Sequence, residues 1–569
     1  MNDPLVSHDR FYSYDELSSV LTSLADAYPD LAKLSSIGTS FRGRNVWLIE
    51  ITNRATGPAE HKPGFYIDAH IHAEEHTTSA VALYAAWYLL TRYGSDDEVT
   101  RLLDQQVFYI LPRLNPDGAE MSLQPPYQRW VGNGRYLPGE ELDHGVIPQD
   151  LNGDGYIVHM RVPDPLGEWK VSSRDARLLV QRQPGEEGGQ YYRLYPEGLI
   201  RDFDGVEVTL QKPRDGNLNR NFPAGWAPEV EQYGAGELPL SEPEASALAR
   251  FILEHPNIAG MCSYHTHGGV ILRPSMTASD SAMSPRDLAL YKDLGAVGTE
   301  LTGYPTISIY EEFTPDKSKP RRGGLMDWTY EQMGIISFGP ELWDIEREAG
   351  VEKASYYNLY PRDEETAYRV LSWVLEHCGE QGFRDWEPFE HPQLGPVEIG
   401  GMVDIWTYRN PPLTLLESLC HDNVRFNLRH AAAAPRVRVD GVETEALGAG
   451  LYKVRAVVAN HGYLPTNLSD VAIQKGVAVP VTAELELDGA ELIMNPAKVE
   501  LGHLAGRNER QYPWSQFGQQ WTATKKAAEW LVRASDSRKA SLRVVAVSQR
   551  AGRHERKLTL SAEGEAPPS

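Results

Sequence analysis

His70, His72, Glu74, Glu75 and His76 crowd into seven positions of one stretch, FYIDAHIHAEEHTTSAV, spanning Phe65–Val81. Imidazoles and carboxylates at that density are the donor types that hold a catalytic zinc. Two patterns overlap. His72-Ala-Glu-Glu75 offers two ligands that need a third from elsewhere in the chain. His72-Ala-Glu-Glu75-His76 also reads as H-x-x-E-H, in which both histidines bind and Glu75 is the base. The second pattern requires one continuous helix, so that the histidines share a face. The run GFYIDAH before it is strand-like, and Thr77 and Thr78 follow directly. The cluster is therefore expected at a strand end, where α/β sheets present their ligands, with His72 and Glu75 as two donors.

A third donor should sit at another strand end. AGMCSYHTHGG supplies His265 and His267 after the apolar run Ile258–Tyr264. IISFGPELWD ends in Glu341 beside Phe338 and Leu342, an apolar setting suited to a carboxylate that takes a proton from an activated water. The loop DGNLNRNFPAGW gathers Asn217, Asn219, Arg220 and Asn221. A guanidinium flanked by amides grips a planar carboxylate bidentately. Farther off, DLNGDGYIVHMR places Asp150, Asn152, Asp154 and Gly155 at the spacing of a calcium loop. Arg161 at the twelfth position excludes an EF-hand, and leaves a smaller Ca²⁺ site as the expectation.

The elements that must position these groups alternate. SYDELSSVLTSLADAYPDL opens with a Ser13/Glu16 capping box before an amphipathic helix, and SEPEASALARFILEHP repeats the signature at Ser241/Glu244. KLSSIG, NVWLIEIT, GFYIDAHI, QVFYIL, IAGMCSYH and IISFGPEL read as strands, with an Asn-Pro-Asp-Gly turn after the fourth. TSAVALYAAWYLLTRYG, GGLMDWTYEQMG and DEETAYRVLSWVLEHC read as helices. The expected fold is α/β: a mixed, mostly parallel sheet flanked by helices over residues 8–425. It is interrupted by a Pro/Gly/Asp-rich insertion at about 134–216. Short strand-like runs then indicate a β-sandwich-like domain at 432–562, and 563–569 is expected to be disordered.

The 569 residues carry a net charge of −24, which argues against a duplex nucleic-acid partner. Cys262, Cys378 and Cys420 are too scattered for a disulfide framework or a zinc knuckle. No apolar run reaches membrane-spanning length, and the first residues lack a signal-peptide pattern. A cytoplasmic location is the expectation for the chain as written, or a secreted or periplasmic one if its start lies elsewhere.

IHAEEH, NLNRNFP, SYHTHG, GGLMDWTY and SFGPEL occur in the order and general spacing of the zinc carboxypeptidases of the A/B type. YDEL, YPDL, SIGTSFRGRNVWLIEIT and RLNPDG also resemble that family's N-terminal half, so the likeness runs over residues 10–385. The resemblance implies one Zn²⁺ per chain, bound by His72, Glu75 and His265, the His2Glu set for which carboxypeptidase A is itself the standard example. It implies Glu341 as general base, and Asn219 and Arg220 as the grip on a peptide's terminal carboxylate. It also implies an arginine for the scissile carbonyl, assigned to Arg129 with Arg135 as rival. Met326 matches the base of the side-chain pocket and suggests apolar specificity, although Arg321 and Arg322 nearby suit acidic side chains. Two positions depart from the family. Lys319 stands where a substrate-closing tyrosine is usual, with Tyr310 as a nearby substitute, and Asn217 replaces an aspartate. The implied activity is removal of C-terminal residues from peptides. An amidohydrolase acting on acylated amino acids or cell-wall peptides, or an inactive peptide-binding relative, are the alternatives.

Overall fold

The computed structural model describes residues 5–137, 143–210, 215–353, 356, 363–508, 523–534 and 540–560. The tail expected to be disordered, 563–569, lies outside them. Helix α1 (Tyr14–Ala27) begins at the Ser13/Glu16 capping box anticipated from sequence. Strands β1 (Ala32–Thr39), β2 (Asn45–Ile51) and β3 (Gly64–Asp68) lead to helices α2 (His76–Arg92) and α3 (Asp97–Gln105), then to β4 (Val107–Leu111). The Asn-Pro-Asp-Gly run is not a closing turn. It starts helix α4 (Pro116–Leu123), because Asn115 Oδ1 accepts the Gly118 N–H at 2.9 Å and Pro116 occupies the first helical position.

The insertion is more ordered than its composition suggests. It contains β5 (Gly145–Pro148), β6 (His159–Pro163), β7 (Trp169–Val171), β8 (Leu179–Gln181), β9 (Tyr192–Pro196) and β10 (Gly198–Arg201). Helix α5 (Pro243–Glu254) follows, but Ser241 does not cap it. Glu242 holds the N-cap position, and Ser241 Oγ accepts from the Asn221 amide at 3.1 Å instead. Then come β11 (Ile258–Ser263), β12 (His265–Thr266), β13 (Val270–Arg273), α6 (Pro285–Thr302), β14 (Thr306–Ser308), α7 (Leu325–Glu331), β15 (Ile336–Leu342), α8 (Ile345–Glu348) and α9 (Glu364–His377).

The main sheet has the order β1-β2-β4-β3-β11-β15-β13-β14, with β12 beside β15. β4, β3, β11 and β15 run parallel, and antiparallel pairs flank them, which makes the sheet mixed. Every residue of β3, β4 and β11 is buried, as their mostly apolar runs require when helices cover both faces, and the two polar ends meet where Ser263 Oγ donates to Asp68 Oδ1 at 2.6 Å. One core includes Leu21, Leu89, Phe338 and Phe426, and the other includes Tyr66, Tyr109, Leu248 and Trp328.

Two strands were not legible beforehand, β16 (Phe383–His391) and β17 (Gly395–Met402). Glu, Asp and Pro interrupt their alternation. They complete an antiparallel sheet with the insertion, in the order β16-β17-β6-β9-β7-β8. Arg161 on β6 holds Glu398 on β17 through Nε (2.7 Å) and its terminal nitrogen (3.0 Å), and Met160, Val397, Ile399 and Trp406 fill the small core beneath. Helix α10 (Leu416–Ala432) then packs on α2 and α6, so the helical layer continues to Ala432 rather than stopping at 425.

The C-terminal region is a sandwich of two antiparallel sheets. β18 (Val437–Gly448), β19 (Leu451–Asn460) and a short helix α11 (Asp470–Gln474) precede β20 (Val481–Asp488), β21 (Ala490–Met494), β22 (Lys498–Gly502), β23 (Lys525–Ala534), β24 (Ser541–Ser548) and β25 (Gly552–Thr559). The sheets β18-β19-β23-β21 and β22-β20-β24-β25 enclose Trp530, Val454, Val458 and Val544. The sandwich docks near Gly334, where Ser469 Oγ donates to Gly334 O at 2.8 Å and the Asp287 carboxylate accepts the Asp470 N–H at 2.8 Å. Gly334 precedes β15, whereas Glu341 lies near that strand's other end, about 20 Å away at ~3.3 Å per residue.

Candidate metal centre

β3 reaches α2 through the loop that carries the clustered residues. His70 adopts a left-handed backbone (φ 59°); its N–H donates to Thr78 Oγ1 at 2.8 Å and its Nε2 lies 2.9 Å from Ala73 O. It braces the loop. Glu75 occupies the N-cap position of α2, and His72 precedes it by three residues. His265 opens β12, paired in parallel with β15 so that His265 stands opposite Glu341. The three donors converge: His72 Nδ1 is 2.9 Å from Glu75 Oε1 and 3.3 Å from His265 Nδ1, which is 3.4 Å from Glu75 Oε2.

Two imidazole nitrogens 3.3 Å apart share either a proton, in a hydrogen bond whose donor depends on the tautomer, or a cation. With no metal, a proton takes that part. Burial works against it, but the Glu75 carboxylate prevails and pushes His265 up to about 9. Burial likewise opposes charge on Glu75, yet His72 and His265 hold that carboxyl far below its usual range. Glu75 Oε2 is buried without a well-formed hydrogen bond. Two nitrogens and a carboxylate oxygen with an unused lone pair fit zinc. Among the described residues, His72, Glu75 and His265 are the one group of three such side chains close enough to share an ion.

The H-x-x-E-H alternative fails on position. His76 is the first residue of α2, so no helical turn connects it with His72. Its ring is buried against Phe11, His70 and Trp406, with neither nitrogen hydrogen-bonded, and burial pushes its pKa down to about 3. His267 is also buried, 6.0 Å from the Tyr408 ring. The calcium expectation is not supported either. Asp150 accepts the N–H groups of Gly153 (2.7 Å) and Gly155 (3.0 Å), Asn152 accepts from Asp154, and Asp154 is held by Arg384 at 2.9 Å. These oxygens cap their own turn.

Glu341, partly exposed near the end of β15, is pushed up to about 7 by burial, with Glu75 adding to the shift and His265, Arg409 and Arg321 opposing it. Asn219 Oδ1 accepts the Leu325 N–H at 3.0 Å, which leaves its Nδ2 as a donor. Arg220 donates to Asn219 O at 2.7 Å and has no ion pair among the described residues. Arg129 lies at the metal loop, 3.2 Å from Glu74 and 3.6 Å from Asp404, on the wall of an 830 Å³ cleft lined also by Tyr127, Trp130 and His159. Arg135 is elsewhere, paired with Glu242 at 3.2 Å. Lys319 is exposed, and Tyr310 stacks with Lys317. Tyr356 is the tyrosine that packs on the cluster containing Met326 and Phe313.

Three residues around the site carry no local sequence signal. Glu74, given no role by its neighbours in sequence, is buried and paired with Arg409 at 2.8 Å as well as with Arg129. Arg409 and Asn410 come from the segment after β17, whose sequence WTYRNPP has no periodicity to flag it. Arg409 donates to Thr266 O at 3.2 Å. Asn410 Oδ1 accepts from Thr77 N–H (2.9 Å) and Thr77 Oγ1 (2.8 Å), while its Nδ2 donates to Glu74 O at 2.8 Å. One short segment thus fastens both loops that carry the donor groups. Asn410→Ala strands a helix N–H and a buried carbonyl, and is expected to cost about 2–4 kcal/mol, read as a lower Tm together with weaker zinc binding. Unchanged values for both would remove the bracing role.

A mixed α/β sheet that presents a His2Glu group beside a carboxylate and an arginine loop defines a metal-dependent hydrolase site. Residues 17–367, more than half of the chain, match the profile of the zinc carboxypeptidases, and the chain belongs to that family of hydrolases acting on peptide bonds. Residues 436–559, the sandwich, match a domain of unknown function. Carboxypeptidase D of Drosophila melanogaster is 24% identical over 427 residues, 69% of this chain and 23% of that protein. Carboxypeptidase M of Mus musculus is 33% identical over 213 residues, 35% of this chain and 42% of that one. For carboxypeptidase B of Bos taurus the figures are 25% over 389 residues, 65% and 72%. The chain thus spans less than half the length of the first two. Among solved structures, thrombin-activatable fibrinolysis inhibitor aligns over 76% of each chain at 17% identity and a TM-score of 0.45. Carboxypeptidase A from Helicoverpa armigera aligns over 65% of this chain and 73% of its own, at 18% and 0.40.

Proposed function

We propose that the protein is a zinc-dependent carboxypeptidase that hydrolyses the last peptide bond of substrates with a free C-terminal carboxylate. The observation that carries this reading is Arg220, a half-buried guanidinium without a carboxylate partner among the described residues, set beside the Asn219 amide in the loop next to the donor triad. Burial, with the like charge of Arg321, holds Arg220 down to about 9, opposed by Glu341. An incoming carboxylate relieves that cost and fixes the peptide by its end.

His72, Glu75 and His265 would hold the zinc, which when bound supplies the Lewis acidity that activates water and polarises a carbonyl. Glu341 accepts the water's proton at a carboxylate oxygen and returns it to the departing amine. Arg129, steadied by Glu74, takes the negative charge that develops on the carbonyl oxygen. Arg409 supports the same loop from the other side.

The test is metal content and hydrolysis of N-blocked dipeptides, each beside its C-terminally amidated counterpart. One zinc per chain with turnover of the free acids alone is expected. Arg220→Met should raise KM about 10–100-fold, the range for losing a hydrogen-bonded charge pair. Zinc-loaded protein that cleaves the amides equally well, or cleaves nothing, would refute the assignment.

A further inference from the structure

The loop bearing Arg220 and the segment leading into α7 lie against each other. Phe222 N–H donates to Gly323 O at 3.0 Å, Gly323 N–H donates to Ala224 O at 3.1 Å, and a Cβ on Gly323 would fall 2.2 Å from Arg220 O. Arg321, two residues earlier, is held beside Arg220 by this contact. Its guanidinium lies over the Phe313 ring, 5.3 Å from the centroid. Phe313 in turn neighbours the proposed base: a Cβ on Gly268 would touch Glu341 Cβ at 3.6 Å and the Phe313 ring at 3.8 Å. Phe313 and Met326 belong to one apolar cluster with Leu272 and Ile307. The space beside Glu341 therefore has apolar walls with a cation set on one of them.

Neither Arg220 nor Arg321 forms an ion pair among the described residues. Each is held below the ordinary guanidinium range, Arg220 by burial and by Arg321, Arg321 by burial, with Glu341 opposing in both cases. Two neighbouring, partly desolvated like charges are costly unless two anions compensate them. A peptide ending in an apolar residue brings one carboxylate and leaves the second cation unmatched. A peptide ending in glutamate or aspartate brings two.

We infer that Arg321 selects substrates whose C-terminal residue is acidic: Asn219 and Arg220 hold the terminal carboxylate, and Arg321 holds the side-chain carboxylate while its methylenes lie along Phe313 and Met326. This rests on the carboxypeptidase reading above, and it replaces the apolar preference that Met326 alone suggests.

The experiment compares kcat/KM for N-blocked dipeptides ending in Glu, Asp, Leu, Phe and Lys on zinc-loaded wild type, Arg321→Met and Arg321→Lys. Wild type should favour Glu or Asp over Leu and Phe by about tenfold or more. Arg321→Met should lose about 100-fold on the acidic substrates, the scale of one bidentate charged pair, while Leu and Phe are kept or improved; Arg321→Lys should fall between. Wild-type preference for apolar ends overturns the inference. An equal loss on all five substrates also overturns it, and would make Arg321 a second holder of the terminal carboxylate. No turnover of any dipeptide sinks the carboxypeptidase reading and this inference with it, whereas turnover with the wrong selectivity sinks this inference alone. Binding to Glu341→Gln, measured by calorimetry, gives a readout without turnover. The Glu dipeptide should bind more tightly than the Leu dipeptide, and adding Arg321→Met should erase the difference.

Discussion

Glu341→Gln should lower kcat/KM by about 10²–10⁴-fold, the span of general acid–base catalysis, and leave one zinc per chain in place. The amide keeps the size of the side chain at the end of β15 but cannot take a proton. The wild-type pH profile carries the same signature. Burial pushes Glu341 up to about 7, above the ordinary carboxylate range, and a dication beside His265 and Glu75 would favour its charged form. A base must be unprotonated to act. The wild-type rate should therefore rise with pH along an acid limb that the Gln variant's residual activity lacks. A variant that keeps both rate and limb would strip Glu341 of its role.

His265→Ala should remove the zinc and nearly all activity. Zinc present at 1,000 times its dissociation constant stabilises the fold by about 4 kcal/mol through mass action, so chelation should lower the wild-type Tm and leave the variant's unmoved. The dependence on pH separates metal from proton. His265 in the metal-free fold is raised to about 9, above its ordinary 6.5, so the stability from its proton is complete below 6.5 and is lost as pH climbs through 9. Zinc must displace that proton, so its affinity rises over the same interval. Metal retained by His265→Ala would place the site elsewhere.

The donor triad and Glu341 were legible in the sequence because each sits where a buried apolar run ends: β3 before His72 and Glu75, β11 before His265, β15 at Glu341. Strand ends are a short-range signal. The supports were not legible. Asn410 bonds to Thr77 across 333 positions, and nothing local in RNPP announces it. Glu74 reads as a surface acid until two arginines from distant loops arrive. β16 and β17 hide their pairing behind Glu, Asp and Pro. Ser241 keeps the spacing of a capping box, but Asn221 uses its hydroxyl first. Side chains claimed by long-range partners escape any reading of neighbours in the sequence.

The small antiparallel sheet has a consequence for heredity. Its strands are encoded in two blocks, and the contact between Arg161 and Glu398 spans 237 positions. Neither block can slip by one residue without turning its own apolar face to water, because side chains alternate along each strand. An insertion or deletion inside a strand of either block breaks the pairing unless a bulge or a loop absorbs it. The stretches 159–196 and 383–402 therefore share one register although residues 197–382 lie between them, and a recombination within that interval would bring Arg161 against a strand that had not been selected with it.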